Sequence, residues 1–416
     1  MTIFVAMNID KYICVMFPYP SGSGLHVGHY YNYAIMDSYC DYLRYKGQTV
    51  FQPFGYDAFG LPAENYAKKV GGDPKEITYN NIGNFRSQMD RMNTSYEEML
   101  ITSDKSYQEQ TQWLFTKLKE HGLAYKKDGD VDYCESCETV LAREQVVDEK
   151  CERCNTKTII KTLNQWYFKI TDYRDRLIKN LDTIDYPEST INAQRKWLEN
   201  QHDWCVSRQR SWGCPIPIEG ETDTLDTFVD SSFYTIIYCI LKGIKPRPVD
   251  VYVGGKEHAC MHLIYARFIT MFLYDIGFVD FEEPFNKVIH QGMILNDGEK
   301  MSKTKGNVVN PDDYDPKVLK FYMMFIGHYF DGGYWNDKNI VGITRFMNRW
   351  KVWMEKEDGT DTVDTDKFKK TIFDYTESFK FNKVVSSFMI FYNENKKKSL
   401  SKDTKDELNK ILEIYT

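Results

Sequence analysis

The first strong pattern in this chain is an unbroken apolar run, Tyr12-Ile-Cys-Val-Met-Phe17, followed by a turn rich in proline and glycine over residues 18–24. A run apolar at every position fits a strand covered on both faces. Helical spacing then extends from about Gly28 to Lys46, Gly47 ends it, and residues 49–54 read as a second strand. Strand, loop, helix and strand in that order predict a parallel sheet with an open crevice at its carboxyl edge. The sheet resumes far downstream. Val249–Val253 and Asn286–Leu295 are strand candidates on either side of an amphipathic helix, His258–Tyr274, closed by Gly277.

Between these halves, residues 125–212 have a character of their own and open on an expected hairpin at Asp128-Gly129. From Pro311 onward the pattern is helical and increasingly polar, ending in Lys396-Lys397-Lys398 and a short helix, Lys402–Tyr415. Five segments follow: 1–124 and 213–295 as two halves of one α/β body, 125–212 as an insertion, 296–336 as a connecting region, and 337–416 as an all-α bundle.

Composition narrows the class. Hydrophobic residues at 42% and charged residues at 27% describe a packed globular chain. With 53 basic and 60 acidic residues the formal charge is −7, so any polyanion partner has to be met by local patches. Lys161, Lys169, Arg174, Arg176, Lys179, Arg195, Lys196, Arg208 and Arg210 form one such cluster; a solvated helical surface would look the same. The apolar run Phe233–Leu241 is far short of a bilayer span, so no membrane association is expected. The N-terminus lacks a basic leader, and the ten cysteines show no disulfide framework, so a reducing, cytoplasmic location is expected.

Three constellations carry chemistry. In Pro18-Tyr-Pro-Ser-Gly-Ser-Gly-Leu-His26-Val-Gly-His29, glycines let backbone approach phosphate oxygens, and the following helix offers free N–H groups and partial positive charge. Two histidines three apart add side-chain donors; taken alone, the string also describes a turn with two surface histidines. The second is Glu299-Lys-Met-Ser-Lys303-Thr-Lys-Gly306, a lysine loop able to bring charge to a transferring phosphate, or, in isolation, a solvated loop. The third is Cys134-x-x-Cys137 with Cys151-x-x-Cys154, two hooks suited to a closed tetrahedral structural Zn²⁺ site.

The first two together resemble the HIGH and KMSKS signatures of class I aminoacyl-tRNA synthetases. Met16-Phe-Pro-Tyr-Pro-Ser-Gly22, Gly55-Tyr-Asp-Ala-Phe-Gly-Leu-Pro-Ala-Glu64, Trp204-Cys-Val-Ser-Arg-Gln-Arg-Ser-Trp-Gly213, Asp226-Thr-Phe-Val-Asp-Ser-Ser232 and Val253-Gly-Gly-Lys-Glu-His258 resemble the leucyl-tRNA synthetases more closely than the isoleucyl, valyl or methionyl enzymes. The matching strings run in order from about residue 10 to residue 350. The resemblance implies a Rossmann-type parallel sheet split by a zinc-containing insertion and followed by a short helical bundle. It also implies a monomer that uses ATP with Mg²⁺, leucine and tRNA(Leu).

By the same resemblance, His26, His29, Lys300 and Lys303 would act on the phosphates, and Asp57 would hold the substrate ammonium beside backbone of Met16 and Phe17. Tyr19, Phe228, Ser231, Tyr252, His258 and His262 would line the leucine and adenylate pocket. Gly254, Gly255 and Glu257 would take the ribose, Gln291, Gly292 and Met293 the adenine, and Gly28 and Ser302 the remaining ATP contacts. The aromatic residues and His262 would equally serve as core.

Two departures alter the expected activity. The family carries a large editing domain between the segments like Gln194-Arg-Lys-Trp-Leu198 and Trp204-Cys-Val-Ser-Arg208, whereas here only a handful of residues separates them, so hydrolysis of mischarged tRNA in cis is not expected. The stretch Pro215–Asp226 is similarly short, and the helices after Asp337 resemble only the start of the family's anticodon-side bundle. Three readings compete: a leucine–tRNA ligase without editing, a paralogue that binds or activates leucine without charging tRNA, and an unrelated nucleotidyltransferase with a His-x-Gly-His loop.

Overall fold

The structure, a computed structural model, describes residues 8–141, 145–151, 154–301 and 306–416. Its centre is a parallel sheet in which β1 (Lys11–Val15) lies beside β2 (Val50–Phe51) on one side and Val251–Val253 on the other, with Val288–Ile289 at the edge. Between β1 and β2 runs helix α1 (Val27–Tyr45). The register sets Ile13 opposite Val251 and Tyr12 opposite Phe51.

Alternation along β1 divides the core in two. Ile13 and Val15 join α1 and the C-terminal helices, whereas Tyr12 and Cys14 join the helices Tyr234–Lys242 and His262–Asp275. The sheet is thus covered on both faces, which is why its central strand tolerates no polar residue after Lys11. The C-terminal helices Asp337–Met354, Thr365–Glu377, Phe381–Asn395 and Lys402–Glu413 pack around Trp350, Trp353 and Phe388, all almost wholly buried. Among the described residues no helix is long and apolar enough to cross a membrane.

Several expectations need correction. The strand expected over residues 49–54 breaks at Gln52; Pro53 starts β3 (Pro53–Tyr56), which leaves the main sheet and pairs in parallel with β4 (Glu97–Ile101). Proline supplies no N–H to a ladder, so the strand ends there. Asn286–Leu295 likewise divides into Val288–Ile289 and Met293–Asn296, which belong to different sheets. Any side chain at the intervening Gly292 would run into the backbone of Gly332.

The Asp128-Gly129 hairpin does not exist. Both residues lie inside β5 (Ala124–Cys134), which pairs antiparallel with Ile159–Phe168 from Ala124↔Phe168 to Tyr133↔Ile159. Gly129 is needed for space, because a Cβ there would meet the Tyr167 hydroxyl. The helix expected from His258 begins at His262, after a short 3₁₀ turn at Lys256–His258.

Candidate active site

The histidine loop ends where α1 begins. His26 is the N-cap: its Nδ1 accepts the Gly28 amide at 3.0 Å, and the His29 Nδ1 accepts the His26 amide at 3.3 Å. The two rings lie 3.9 Å apart and half-exposed. Gly28 is required because a Cβ would sit 2.8 Å from the His26 ring. The helix thus presents its positive end and both imidazoles to one side.

The lysine loop meets this end. Its ascending leg is a short strand, Glu299–Lys300, paired antiparallel to Leu295 and Asn296. Asn296 Nδ2 donates to the Asn307 carbonyl at 3.0 Å and Asn307 Nδ2 to the Lys300 carbonyl at 3.3 Å, closing the loop's base. Lys300 is exposed; Ser302 and Lys303 lie outside the described residues. Gln88 accepts the Leu25 amide at 2.6 Å and donates to Asp312 at 3.1 Å, and Arg91 holds the Asp312 and Tyr314 carbonyls. Gln88 and Arg91 bridge the two loops, and no string in the sequence marks them.

Behind the loops is Asp57, 1% exposed. Its amide donates to the Pro18 carbonyl at 3.0 Å, and its Oδ1 accepts Thr227 at 2.9 Å and Thr102 at 3.5 Å. Its Oδ2 is buried without a hydrogen-bond partner, and burial pushes the carboxyl up to about 8 despite the two threonines. Asp230, three residues after Thr227, is a second buried carboxylate; Thr111 donates to Oδ1 at 2.9 Å while Oδ2 has no partner. Burial, and then the nearness of Asp57, raises it well above the carboxylate range. Thr102, Thr227 and Asp230 were missed because only the fold brings them to Asp57.

Several of the other expected residues pack around the carboxyl ends of β1 and Val251–Val253. Phe17 stacks on Tyr234 at 4.0 Å, and Met16 donates its amide to Val253 at 2.8 Å. Gly254 leaves room for the Met16 thioether, and His290 Nδ1 lies 2.8 Å from the Gly254 carbonyl. The Tyr252 hydroxyl, fully buried, sits 2.7 Å from that of Tyr234 and 2.6 Å from His262 Nε2. Burial, with His258 second, lowers His262 to about 3, so its ring is neutral; its Nδ1 is buried without a partner. Tyr19, Phe228 and Thr227 line a small cleft with Asp226, and Ser231 donates to the Phe228 carbonyl at 3.5 Å. Gly255 and His258 are half-exposed and Glu257 exposed. Gln291 has a buried Oε1 without a partner beside half-exposed Gly292, and Met293 is exposed.

Two buried ion pairs frame the cleft. Arg208 donates to Asp226 at 2.7 Å, with Trp204 Nε1 on the same carboxylate, and Arg210 pairs with Glu64, whose other oxygen accepts the Trp212 amide. Both arginines expected in a surface patch are therefore internal. At the tip of the β5 arm, Cys134, Cys137, Cys151 and Cys154 place their Sγ atoms within 4.8 Å of one another. A tetrahedron of ~2.3 Å Zn–S bonds needs sulfurs roughly 3.8 Å apart, so the four thiols could hold Zn²⁺.

A parallel sheet with a histidine loop on its first helix and a lysine loop bound to that loop defines a class I synthetase core. Residues 6–236 and 219–329 match the family described as tRNA synthetases class I (I, L, M and V), and the chain belongs to that family. The relatives it matches include the Leucine--tRNA ligase of Clostridium perfringens (strain SM101 / Type A), 29% identical over 676 aligned positions that span 96% of this chain and 82% of the relative. That of Clostridium botulinum (strain Hall) is 30% identical over 659 positions, spanning 93% and 81%. Alignments longer than the 416-residue chain leave a few hundred positions of each relative without a counterpart.

Among solved structures, the LeuRS of Agrobacterium radiobacter K84 in a ternary complex with tRNA and LeuAMS superposes with a TM-score of 0.86 at 22% identity, covering 99% of this chain and 84% of that one. Mycobacterium tuberculosis methionyl-tRNA synthetase bound to methionyl-adenylate gives 0.75 at 18%, covering 97% and 88%. These two define the fold. Family membership makes the chain an ATP-dependent aminoacyl-tRNA ligase.

Proposed function

We propose that the chain is a leucine–tRNA ligase that forms leucyl-adenylate, passes leucine to tRNA(Leu), and does not edit in cis. The observation that carries the amino-acid half is the Asp57 Oδ2, a buried carboxylate oxygen with no hydrogen-bond partner among the described residues. Such an atom is costly unless a ligand supplies the charge, and an α-ammonium does so. The relatives' names give the side chain as leucine. Only four residues separate the Glu188–Glu199 helix from Trp204, which supports the reading without an inserted hydrolytic domain at that point.

In this reading Asp57 and the backbone at Met16 and Phe17 orient the ammonium, while Tyr19, Phe228 and Ser231 enclose the side chain. The Tyr234–Tyr252–His262 chain holds neutral His262, with His258, against the adenylate. Gly254, Gly255 and Glu257 take the ribose, and Gln291 can accept from the adenine amino group beside Gly292 and Met293. A leucine carboxylate oxygen attacks the α-phosphorus, the bond to the pyrophosphate bridging oxygen breaks, and the electron pair leaves with pyrophosphate. His26, His29, Lys300, Lys303 and Ser302, with the Gly28 backbone, stabilise charge on the phosphates, and Mg²⁺ enters bound to ATP. Zn²⁺ on the four cysteines would fix the arm's tip and take no part in chemistry.

Leucine-dependent exchange of pyrophosphate into ATP, followed by charging of total tRNA with labelled leucine, tests the proposal. Both should occur. Exchange without charging would establish the activating paralogue instead, and absence of exchange would overturn the reading.

A further inference from the structure

The helix Glu188–Glu199 belongs to the insertion, yet the side it buries is largely polar: Thr190, Gln194 and Leu198, spaced four apart. A buried hydroxyl and a buried amide need partners, and both lead to one stretch of chain, residues 254–259. Thr190 Oγ1 lies 2.7 Å from His290 Nε2, and His290 Nδ1 lies 2.8 Å from the Gly254 carbonyl. A carbonyl oxygen only accepts, so Nδ1 carries the proton, and in the neutral ring Nε2 accepts the threonine hydroxyl. Burial lowers the His290 pKa and favours that neutral ring. One turn along the helix, Gln194 Nε2 donates to the Ala259 carbonyl at 2.8 Å while its Oε1 accepts Arg267 at 2.9 Å. Arg267 is wholly buried and is held in turn by Glu283 and the Leu177 carbonyl, so the Gln194 amide is fixed the right way round.

The helix is itself tied to the sheet. Just before it, the Asp185 carbonyl accepts the Val288 amide at 3.0 Å and the Asp185 carboxylate pairs with Lys287 at 3.3 Å. The sheet also holds the Gly254 amide, on the Ile289 carbonyl at 3.1 Å. His290 adds the carbonyl, and so sets the plane of the peptide that leads into Gly255. Between the two held carbonyls, of Gly254 and Ala259, lie Gly255 and the 3₁₀ turn Lys256–His258, all exposed or half-exposed. One helix of the insertion thus grips both ends of a short surface segment that has little packing of its own.

We propose that His290, steadied by Thr190, and Gln194 are positioning residues for the nucleotide: they fix the two ends of residues 254–259 in the conformation that takes the ATP ribose. The insertion helix then sets ATP affinity without touching ATP. This rests on the assignment of Gly254, Gly255 and Glu257 to the ribose. The energetic logic is preorganisation, since a loop held in its binding conformation by groups behind it has less order to lose when the ligand arrives.

The test is pyrophosphate exchange with ATP and leucine varied separately, together with hydrogen exchange on the unliganded full chain. His290→Ala should raise the KM for ATP by roughly tenfold or more, within the ~10²-fold that a misplaced binding group can cost, and leave the KM for leucine within about twofold. His290→Asn, whose amide nitrogen reaches the place of Nδ1, should recover most of the loss; His290→Gln, whose nitrogen falls nearer Nε2, should not. Thr190→Val should raise the KM for ATP in the wild-type background and add nothing to His290→Ala. Gln194→Glu, which keeps an acceptor for Arg267 and removes the donor to Ala259, should show the same split between the two KM values. Hydrogen exchange in His290→Ala should quicken over residues 255–262 and stay unchanged in β1. An unchanged KM for ATP would overturn the proposal, as would a parallel rise of both KM values with a lowered melting temperature, which would make His290 a core residue only. If wild type shows no exchange of pyrophosphate, the ligase reading fails, while hydrogen exchange still decides whether the helix holds the segment.

Discussion

The amide of Val27, the first residue of α1, donates to the carbonyl of Val309 at 3.2 Å. That bond joins the histidine loop to the descending leg of the lysine loop, 282 positions later in the chain. With Gln88 bridging Leu25 and Asp312, it fixes the base on which Lys300 sits exposed.

Lys300 is therefore placed to act without supporting the fold. Lys300→Ala should slow leucine-dependent pyrophosphate exchange by about 10²–10³-fold, the scale seen when one charge-stabilising donor is removed. The melting temperature should not move. A rate within error of wild type would remove Lys300 from the phosphate-binding set.

Asp57 should give activation a particular pH dependence. With its carboxyl held near 8 in the empty site, only the ionised fraction can receive an ammonium, so the apparent KM for leucine should fall as pH rises towards about 8 and then level. The sign for stability is opposite. The folded value lies above the unfolded value of ~3.9, so the stability Asp57 contributes is full below that pH and is lost as pH rises through about 8. Asp57→Asn should lose about 2–5 kcal/mol of leucine binding and flatten the KM profile. At pH 7.5 it should melt no lower than wild type.

His262 supplies a contrast. Lowered to about 3 by burial, it stays neutral across the working range, so the exchange profile should show no imidazole limb from it. His262→Gln, which keeps a polar atom near Tyr252, should be active with an unchanged pH profile; a new acid limb near pH 6 in wild type that this variant abolishes would contradict the assignment.

Zinc should be present at one per chain and lost in Cys151→Ser. The arm's base packs Trp166 and Phe168 into the main core, so the loss should be local. Hydrogen exchange should rise around Cys134 and Cys151 while pyrophosphate exchange changes little. Collapse of the whole fold on chelation would show that the metal supports more than the tip.

Fidelity should be modest. A synthetic pocket alone separates side chains that differ by a methylene by only ~1–3 kcal/mol. Norvaline and methionine should therefore support measurable pyrophosphate exchange. A preference for leucine many powers of ten larger would require a rejection step not proposed for this chain.

The sequence by itself determined what depends on local order. The buried strand at Tyr12, the glycine-bearing His26–His29 helix start, the spacing of the four cysteines and the lysine loop are each written in consecutive residues, because turn chemistry, capping and metal-ligand hooks act over a few positions. Tertiary structure decided what depends on distant partners. It assigned Gln88 and Arg91 to bridging the two loops, set Thr102, Thr227 and Asp230 around Asp57, and turned Arg208 and Arg210 from a surface patch into buried ion pairs. It also ran Asp128-Gly129 through the middle of a strand, where the glycine makes room for Tyr167 across the ladder. A turn signal reports only that a residue can bend; whether it does depends on the neighbour that packing places opposite it.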